Sequence, residues 1–138
     1  MSHYTVVQTE IREVPALLSA LRAMGYAHVE FHEEPQPLYG YQGDQRPETA
    51  EVIIRRQHVG TAANDIGFKR QPSGEFEAII SEYDRGRHCP ASWLQKLAYE
   101  YGYSLIRDQM RQEVEDGRIV EQETLPDGTL AWTVSERG

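Results

Sequence analysis

Ile66-Gly67-Phe68-Lys69-Arg70-Gln71-Pro72-Ser73-Gly74-Glu75-Phe76-Glu77-Ala78-Ile79-Ile80-Ser81-Glu82 reads as two strands joined by a tight turn. Gln71 to Glu75 holds the proline and glycine that a short hairpin connection needs. On its second arm Phe76, Ala78 and Ile80 share one face, because side chains on a strand alternate sides. A hairpin at the centre of the chain makes an antiparallel sheet the natural frame.

Working outward, Ala50 to Gln57 is expected to be a strand with Val52 and Ile54 on one face and Ile53 on the other, hence central in the sheet. His28 to Glu34 alternates as another strand, and Pro35 to Thr49, rich in Pro, Gly and Gln, is expected to be a loop between them. Further upstream, Val14, Leu17, Leu18, Leu21 and Met24 recur at three and four residues, the stripe of an amphipathic helix. Pro15 suits its first turn and Gly25 its stop. Tyr4 to Glu10, with Thr5, Val6, Val7 and Thr9, is the first strand.

Downstream, Pro90 to Asp116 is helical, with Leu94, Leu97, Ala98, Tyr101 and Leu105 on one stripe. Ile106, Met110 and Val114 continue a rotated one. Ser92 is expected to cap the first turn, Gly102 marks either a kink or a break into two helices, and Gly117 ends the run. Arg118 to Leu125 and Leu130 to Glu136 form a last hairpin about Pro126-Asp127-Gly128. The order β-α-β-β-β-β-α(α)-β-β predicts an α+β fold in a single domain of residues 1–138: a mainly antiparallel sheet with helices packed on one face.

The composition narrows the function. Twenty-two acidic against fourteen basic residues give a net charge of −8, and no Lys/Arg-rich stretch supplies the basic face that phosphate contacts require. Nucleic acid is not expected as a partner. No apolar run approaches the ~20 residues of a membrane helix, and the start of the sequence lacks the charged and apolar regions of a secretory signal. The expected compartment is the cytoplasm, with no membrane partner and no cofactor. Cys89 is the only cysteine, so neither an internal disulfide nor a cysteine zinc site can form.

Several clusters carry chemistry-bearing residues. His28, Glu30, His32 and Glu34 share one strand face, and imidazole with carboxylate suits a divalent metal. Residues four apart on a strand are roughly 13 Å apart, so His28 and His32 cannot clasp one ion. Only adjacent pairs among His28, Glu30 and His32 could, and a solvated face is the simpler expectation. Cys89, beside His88 at a helix start and near Arg85 and Arg87, is either an activated thiol or a structural one, and the latter is favoured without a visible base. Arg85, Arg87 and His88 form a corner suited to an anion; otherwise the arginines pair with Glu82 and Asp84. In the loop, Tyr39, Tyr41, Gln42 and Gln45 with their glycines make an adaptable recognition surface. Without a Lys-Ser/Thr pair it is no phosphate loop. Asp65 is expected to cap its own turn and Gly67 to let a helix approach closely. Trp93, Tyr99, Tyr101, Tyr103 and Trp132 are expected to pack between helix and sheet. Glu113, Glu115, Asp116, Glu121 and Glu123 are expected to be a solvated face.

The order of motifs resembles the uncharacterised family known as hypothetical chloroplast reading frame thirty-five, found in cyanobacteria, algal plastids and other bacteria. Met1-Ser2-His3 followed by an aromatic, Gly25-Tyr26, Gly40-Tyr41-Gln42-Gly43, Ala50 to Ile54, Asp65 to Phe68, Glu77 to Ile80, Leu94 with Tyr99 and Tyr101, and Asp127-Gly128 carry the likeness. Asp44 intervenes before Gln45 where the family tends to place Gln directly after the second glycine. The resemblance implies a fold, no established activity, and an accessory role beside an AAA-type ATPase. The first expectation is therefore an intracellular binding or accessory protein with a protein partner. The alternative is a small-molecule or metal-binding domain, with enzymatic activity left open.

Overall fold

Strand β1 (Tyr4–Gln8) leads into helix α1 (Val14–Ala23), which begins with a proline in its first turn and ends before Gly25 at φ +106°. Two long strands follow, β2 (Glu30–Tyr39) and β3 (Gln45–Ile54), then a 3-10 turn at Arg56–His58, β4 (Ile66–Arg70) and β5 (Phe76–Ser81). A short helix α2 (Glu82–Arg85) precedes the long α3 (Ala91–Glu115), and β6 (Ile119–Thr124) and β7 (Leu130–Ser135) close the order. This computed structural model describes residues 3–117, 119–126 and 130–135. The Asp127-Gly128 turn and the initial Met1-Ser2 lie outside the described residues, as do the side chains of Glu121, Glu123 and Trp132. The chain forms two compact units, Met1–Tyr101 and Gly102–Gly138.

In the first unit five strands pair in the order β1-β5-β4-β3-β2, every neighbour antiparallel. The central hairpin pairs Gly67 with Ile79 and Phe68 with Ala78, as the opening stretch of sequence requires. Val52, Ile54, Ile66, Phe68, Phe76, Ala78 and Ile80 bury one face against Leu17, Ala20 and Leu21 of α1 and Trp93, Leu97 and Tyr101 of α3. Fully burying a leucine such as Leu17 or Leu21 stabilises by about 1.5–3 kcal/mol. The Tyr101 hydroxyl adds a polar tie, accepting the N–H groups of Arg12 and Glu13 at 2.9 and 3.0 Å just before α1 starts. This is an α+β fold with helices on one face of an antiparallel sheet.

The expected loop from Pro35 to Thr49 is instead the outer half of the β2–β3 hairpin, and only residues 40–44 connect the two strands. Pairing shifts register between Phe31 and Gln36 and again between Pro37 and Tyr39. Beyond the irregularity the hairpin bends over the second face of the sheet. There Leu38, Ala50, Ile53 and Ile79 form a smaller buried cluster with Tyr4. Gly67 permits the approach: a Cβ there would sit 2.7 Å from Ala50 Cβ and 3.0 Å from a Leu38 methyl. The close neighbour is thus the hairpin and not a helix. The strap reaches β1, where the Arg46 guanidinium lies 5.7 Å from the centre of the Tyr4 ring.

One helix expectation is corrected and one alternative is removed. Helix α3 starts at Ala91, with the Pro90 carbonyl accepting from Trp93, so Ser92 falls inside the first turn rather than before it. It also runs through Gly102 without a break. In the second unit β6 and β7 pair antiparallel from Ile119↔Ser135 to Thr124↔Leu130. Leu105, Ile106 and Val114 of α3 are exposed. Among the described residues no helix is long and apolar enough to cross a membrane.

Candidate functional site

Strand β5 ends at Ser81, whose hydroxyl accepts the Asp84 N–H at 3.1 Å and starts α2. That one-turn helix swings the Asp84 carboxylate inward to zero exposure. One carboxylate oxygen accepts from the Ser81 hydroxyl at 2.8 Å and the Asn64 N–H at 3.0 Å, and the Asn64 side-chain amide adds a longer contact at 3.3 Å. The other meets His88 Nδ1 at 2.7 Å. A buried carboxylate is costly unless its oxygens are hydrogen-bonded, and here both are occupied. The far edge of the His88 ring rests on Gly60, where a Cβ would fall 2.4 Å from Nε2.

Asn64 joins this corner to the hairpin tip, because its side-chain oxygen accepts the Tyr41 N–H at 2.9 Å. Across residues 40–44 the turn closes by Gly43 N–H on the Gly40 carbonyl and Gly40 N–H on the Asp44 carbonyl, with Gly43 at φ +81°. The Tyr41 carbonyl accepts from Arg56 Nη1 at 3.2 Å. Tyr41 is thus held at both backbone groups while its residue remains 40% exposed.

Next to Asn64 the second buried carboxylate, Asp65, does not cap its own turn. It accepts the N–H groups of Tyr39 and Arg56 at 2.8 and 2.7 Å and Arg55 Nη1 at 2.9 Å. Arg55 in turn grips Glu30 through Nε and Nη2 at 2.9 and 3.0 Å, and His32 meets the same carboxylate at 2.7 Å. Hydrogen bonds from Arg55, and secondarily His32, hold the Glu30 carboxyl below its ordinary value against a smaller effect of burial. The Tyr4 hydroxyl donates to the Asp65 carbonyl at 2.8 Å, and burial raises its pKa, helped by the charges of Asp65 and Asp84.

The structure therefore unites the two candidate surfaces of the sequence, Tyr39–Gln45 and Arg85–His88, through Asn64. Tyr39 ends β2 beneath the Arg55 guanidinium at 5.6 Å and pairs with Gln45 across the hairpin; Gln42 and Gln45 are exposed. Arg85 and Arg87 do not pair with Glu82 or Asp84, since Asp84 is taken by His88. Arg87 lies instead over the Tyr83 ring at 5.2 Å.

Of the trio His28, Glu30 and His32, the structure brings only Glu30 and His32 together. His28 lies before β2, its ring 4.7 Å from that of His58, while Glu30 serves Arg55 and His32. Among the described residues no group of three or more His, Cys, Asp or Glu is placed to hold a metal. Cys89 is buried in the main core, and its thiol is pushed up to about 12 by burial and the Asp84 charge, which outweigh Arg85. It is a structural cysteine. Trp93 and Tyr101 pack in the core as expected, with Trp93 Nε1 donating to the Tyr26 hydroxyl at 2.8 Å, whereas Tyr99 is exposed.

Sequence reasoning missed Asn64 and Ser81, and gave Asp84 only as a partner for the arginines. Ser81-x-x-Asp84 is a helix-start pattern and could have marked the end of β5, but Asn64 carries no local signal.

No solved structure matches the chain. A plastid relative named uncharacterized protein ycf35, from Cyanophora paradoxa, is 29% identical over 110 residues, covering 79% of this chain and 78% of that protein. The family described as protein of unknown function (DUF1257) matches residues 20–133. The match runs from the end of α1 into β7, taking in β2 to β5, α2, α3 and the corner built on Asn64 and Asp84, and the chain belongs to that family.

Proposed function

We propose that this is a binding or accessory protein whose recognition element is the hairpin tip at Tyr41, engaging a protein partner rather than transforming a substrate. The double hold on Tyr41, by Asn64 on its N–H and Arg56 on its carbonyl, carries the reading. A loop fixed before it binds loses little conformational entropy on binding. An exposed tyrosine flanked by an amide side chain, Gln42, gives a rigid amphipathic anchor. The partner class suggested by the family resemblance is an AAA-type ATPase, and the cytoplasm is the compartment in which we place the encounter. Affinity purification of wild-type and Tyr41→Ala protein at native expression, read by quantitative mass spectrometry, tests this. The expected result is an AAA-type ATPase enriched by the wild type and reduced about tenfold, the equivalent of about 1.4 kcal/mol, by the variant. A partner retained equally by both removes the tip from the claim.

A second reading, a small-molecule or metal-binding domain with enzymatic activity left open, draws on the Asp84–His88 pair. A carboxylate on one imidazole nitrogen fixes the ring, as it does in general bases and metal ligands. Elemental analysis of purified wild type and of His32→Ala and His88→Ala variants tests it: stoichiometric metal lost on either substitution supports this reading, and metal-free wild type that shows no ligand-induced thermal shift excludes it.

A further inference from the structure

We infer that the surface formed by the hairpin tip and the α2 corner docks an acidic segment of a partner protein. The inference rests on the binding role proposed for Tyr41 and names the chemistry of what is bound. Three arginines, Arg56, Arg85 and Arg87, border this surface. Arg56 reaches the tip through the Tyr41 carbonyl; its own carbonyl accepts the Gly60 N–H at 3.4 Å, and Gly60 abuts His88. Arg85 and Arg87 stand three residues and one residue before that histidine in the chain.

The two buried carboxylates beside them are engaged elsewhere, Asp44 of the tip pairs with Arg46, and the exposed Glu82 of α2 forms no ion pair with any of the three. Asp84 is spent on Ser81, Asn64 and His88, and Asp65 on Tyr39, Arg55 and Arg56 backbone. Among the described residues none of the three arginines forms an ion pair. The Nε of Arg85 is moreover buried with no hydrogen-bond partner there. In a chain of net charge −8, arginines without an ion pair are the points at which an acidic group meets attraction within a repulsive surround. Long acidic polymers such as nucleic acid meet that surround; a short acidic segment need not. Arg87 is exposed with its guanidinium 5.2 Å from the centre of the Tyr83 ring, and a guanidinium fork matches a carboxylate with two parallel hydrogen bonds.

Fluorescence anisotropy with the intact protein tests the inference, using a fluorescein-labelled peptide of alternating Glu and Gly, the matching Lys/Gly peptide, and a phosphoserine/Gly peptide. The expected result is binding of the Glu/Gly probe alone or most tightly, weakened by about tenfold in Arg85→Gln/Arg87→Gln protein. The same binding falls as NaCl rises from about 50 to about 300 mM, because exposed charges are screened. Circular dichroism of the variant establishes that it is folded. Absent binding, binding indifferent to the two substitutions, or a preference for the phosphoserine probe overturns the inference. If Tyr41-dependent capture of a protein survives that outcome, only the acidic chemistry fails and the recognition role of the tip stands.

Discussion

Asn64 accepts the Tyr41 N–H at 2.9 Å while its own N–H donates to the buried Asp84 carboxylate at 3.0 Å. One side chain thus sets the position of an exposed loop from inside the domain. Asn64→Ala leaves the Tyr41 N–H without its acceptor and Asp84 with one donor fewer. An unmet buried partner costs about 1–3 kcal/mol, and a loss of that size is expected in urea unfolding. Amide hydrogen exchange at Tyr41 is expected to accelerate beyond the change explained by global stability. Unchanged protection there would detach the tip from the core.

Gly60→Ala places a methyl 2.4 Å from His88 Nε2. Overpacking of this kind costs about 1–3 kcal/mol. The Gly60→Ala/His88→Ala double variant is expected to recover part of it, giving a non-additive cycle by thermal or urea unfolding. Strict additivity would show that the two residues do not press on one another.

Gly102→Ala has the opposite sign. Gly102 lies within α3 and an added Cβ meets nothing within 4 Å. Alanine is favoured over glycine in a helix by about 0.8–1.0 kcal/mol, so the variant is expected to unfold at higher urea. A lower midpoint would mean that the helix needs flexibility there.

Cys89 is expected to resist alkylation by iodoacetamide at pH 8 in the folded protein and to react freely in urea. Its thiol is pushed up to about 12 from an ordinary 9.0, so little thiolate exists and the core blocks the reagent. The sign for stability follows from the raised value: the contribution is complete below pH 9 and is lost as pH climbs towards 12. Rapid alkylation of the native protein would reverse the structural assignment of this residue.

Glu30 gives the acid-side counterpart. Arg55 and His32 hold its carboxyl below the ordinary 4.5, so its stabilising contribution is present above that pH and is lost as pH falls through the depressed folded-state value. The wild type is expected to lose more thermal stability on acidification below pH 4.5 than Glu30→Gln, which has no charge to lose. Parallel pH profiles would show that the Arg55–Glu30 grip contributes nothing, as exposed pairs often do.

The elements that sequence alone made plain are those governed by local periodicity. Phe76, Ala78 and Ile80 alternate, Leu17 and Leu21 recur on a helical stripe, and each set reaches the face expected of it. Pro35, Pro37 and Pro47 concealed the outer hairpin, since proline donates nothing to a ladder. Strand β2 accommodates them because it is an edge strand with shifted register. Pro47 escapes because β3 meets β4 only from Val52 to Ile54. For the site, the tip and the arginine corner stood out by composition, yet their junction did not. Asn64 and Asp84 are twenty positions apart, and only the folded sheet sets one beside the other. Arg85 and Arg87 lost their expected partner for the same kind of reason, because the Ser81 cap turns Asp84 away from them.

The arch of the β2–β3 hairpin over the second sheet face gives the molecule a mechanical coupling. Tyr4 is fastened beneath that arch by the Asp65 carbonyl and by Arg46, and Asp65 also fixes the Tyr39 backbone at the root of the tip. Tension on the amino-terminal strand is therefore expected to reach the root of the loop that carries Tyr41. A handle, tag or force applied before Tyr4 pulls on the same knot that shapes the proposed recognition surface.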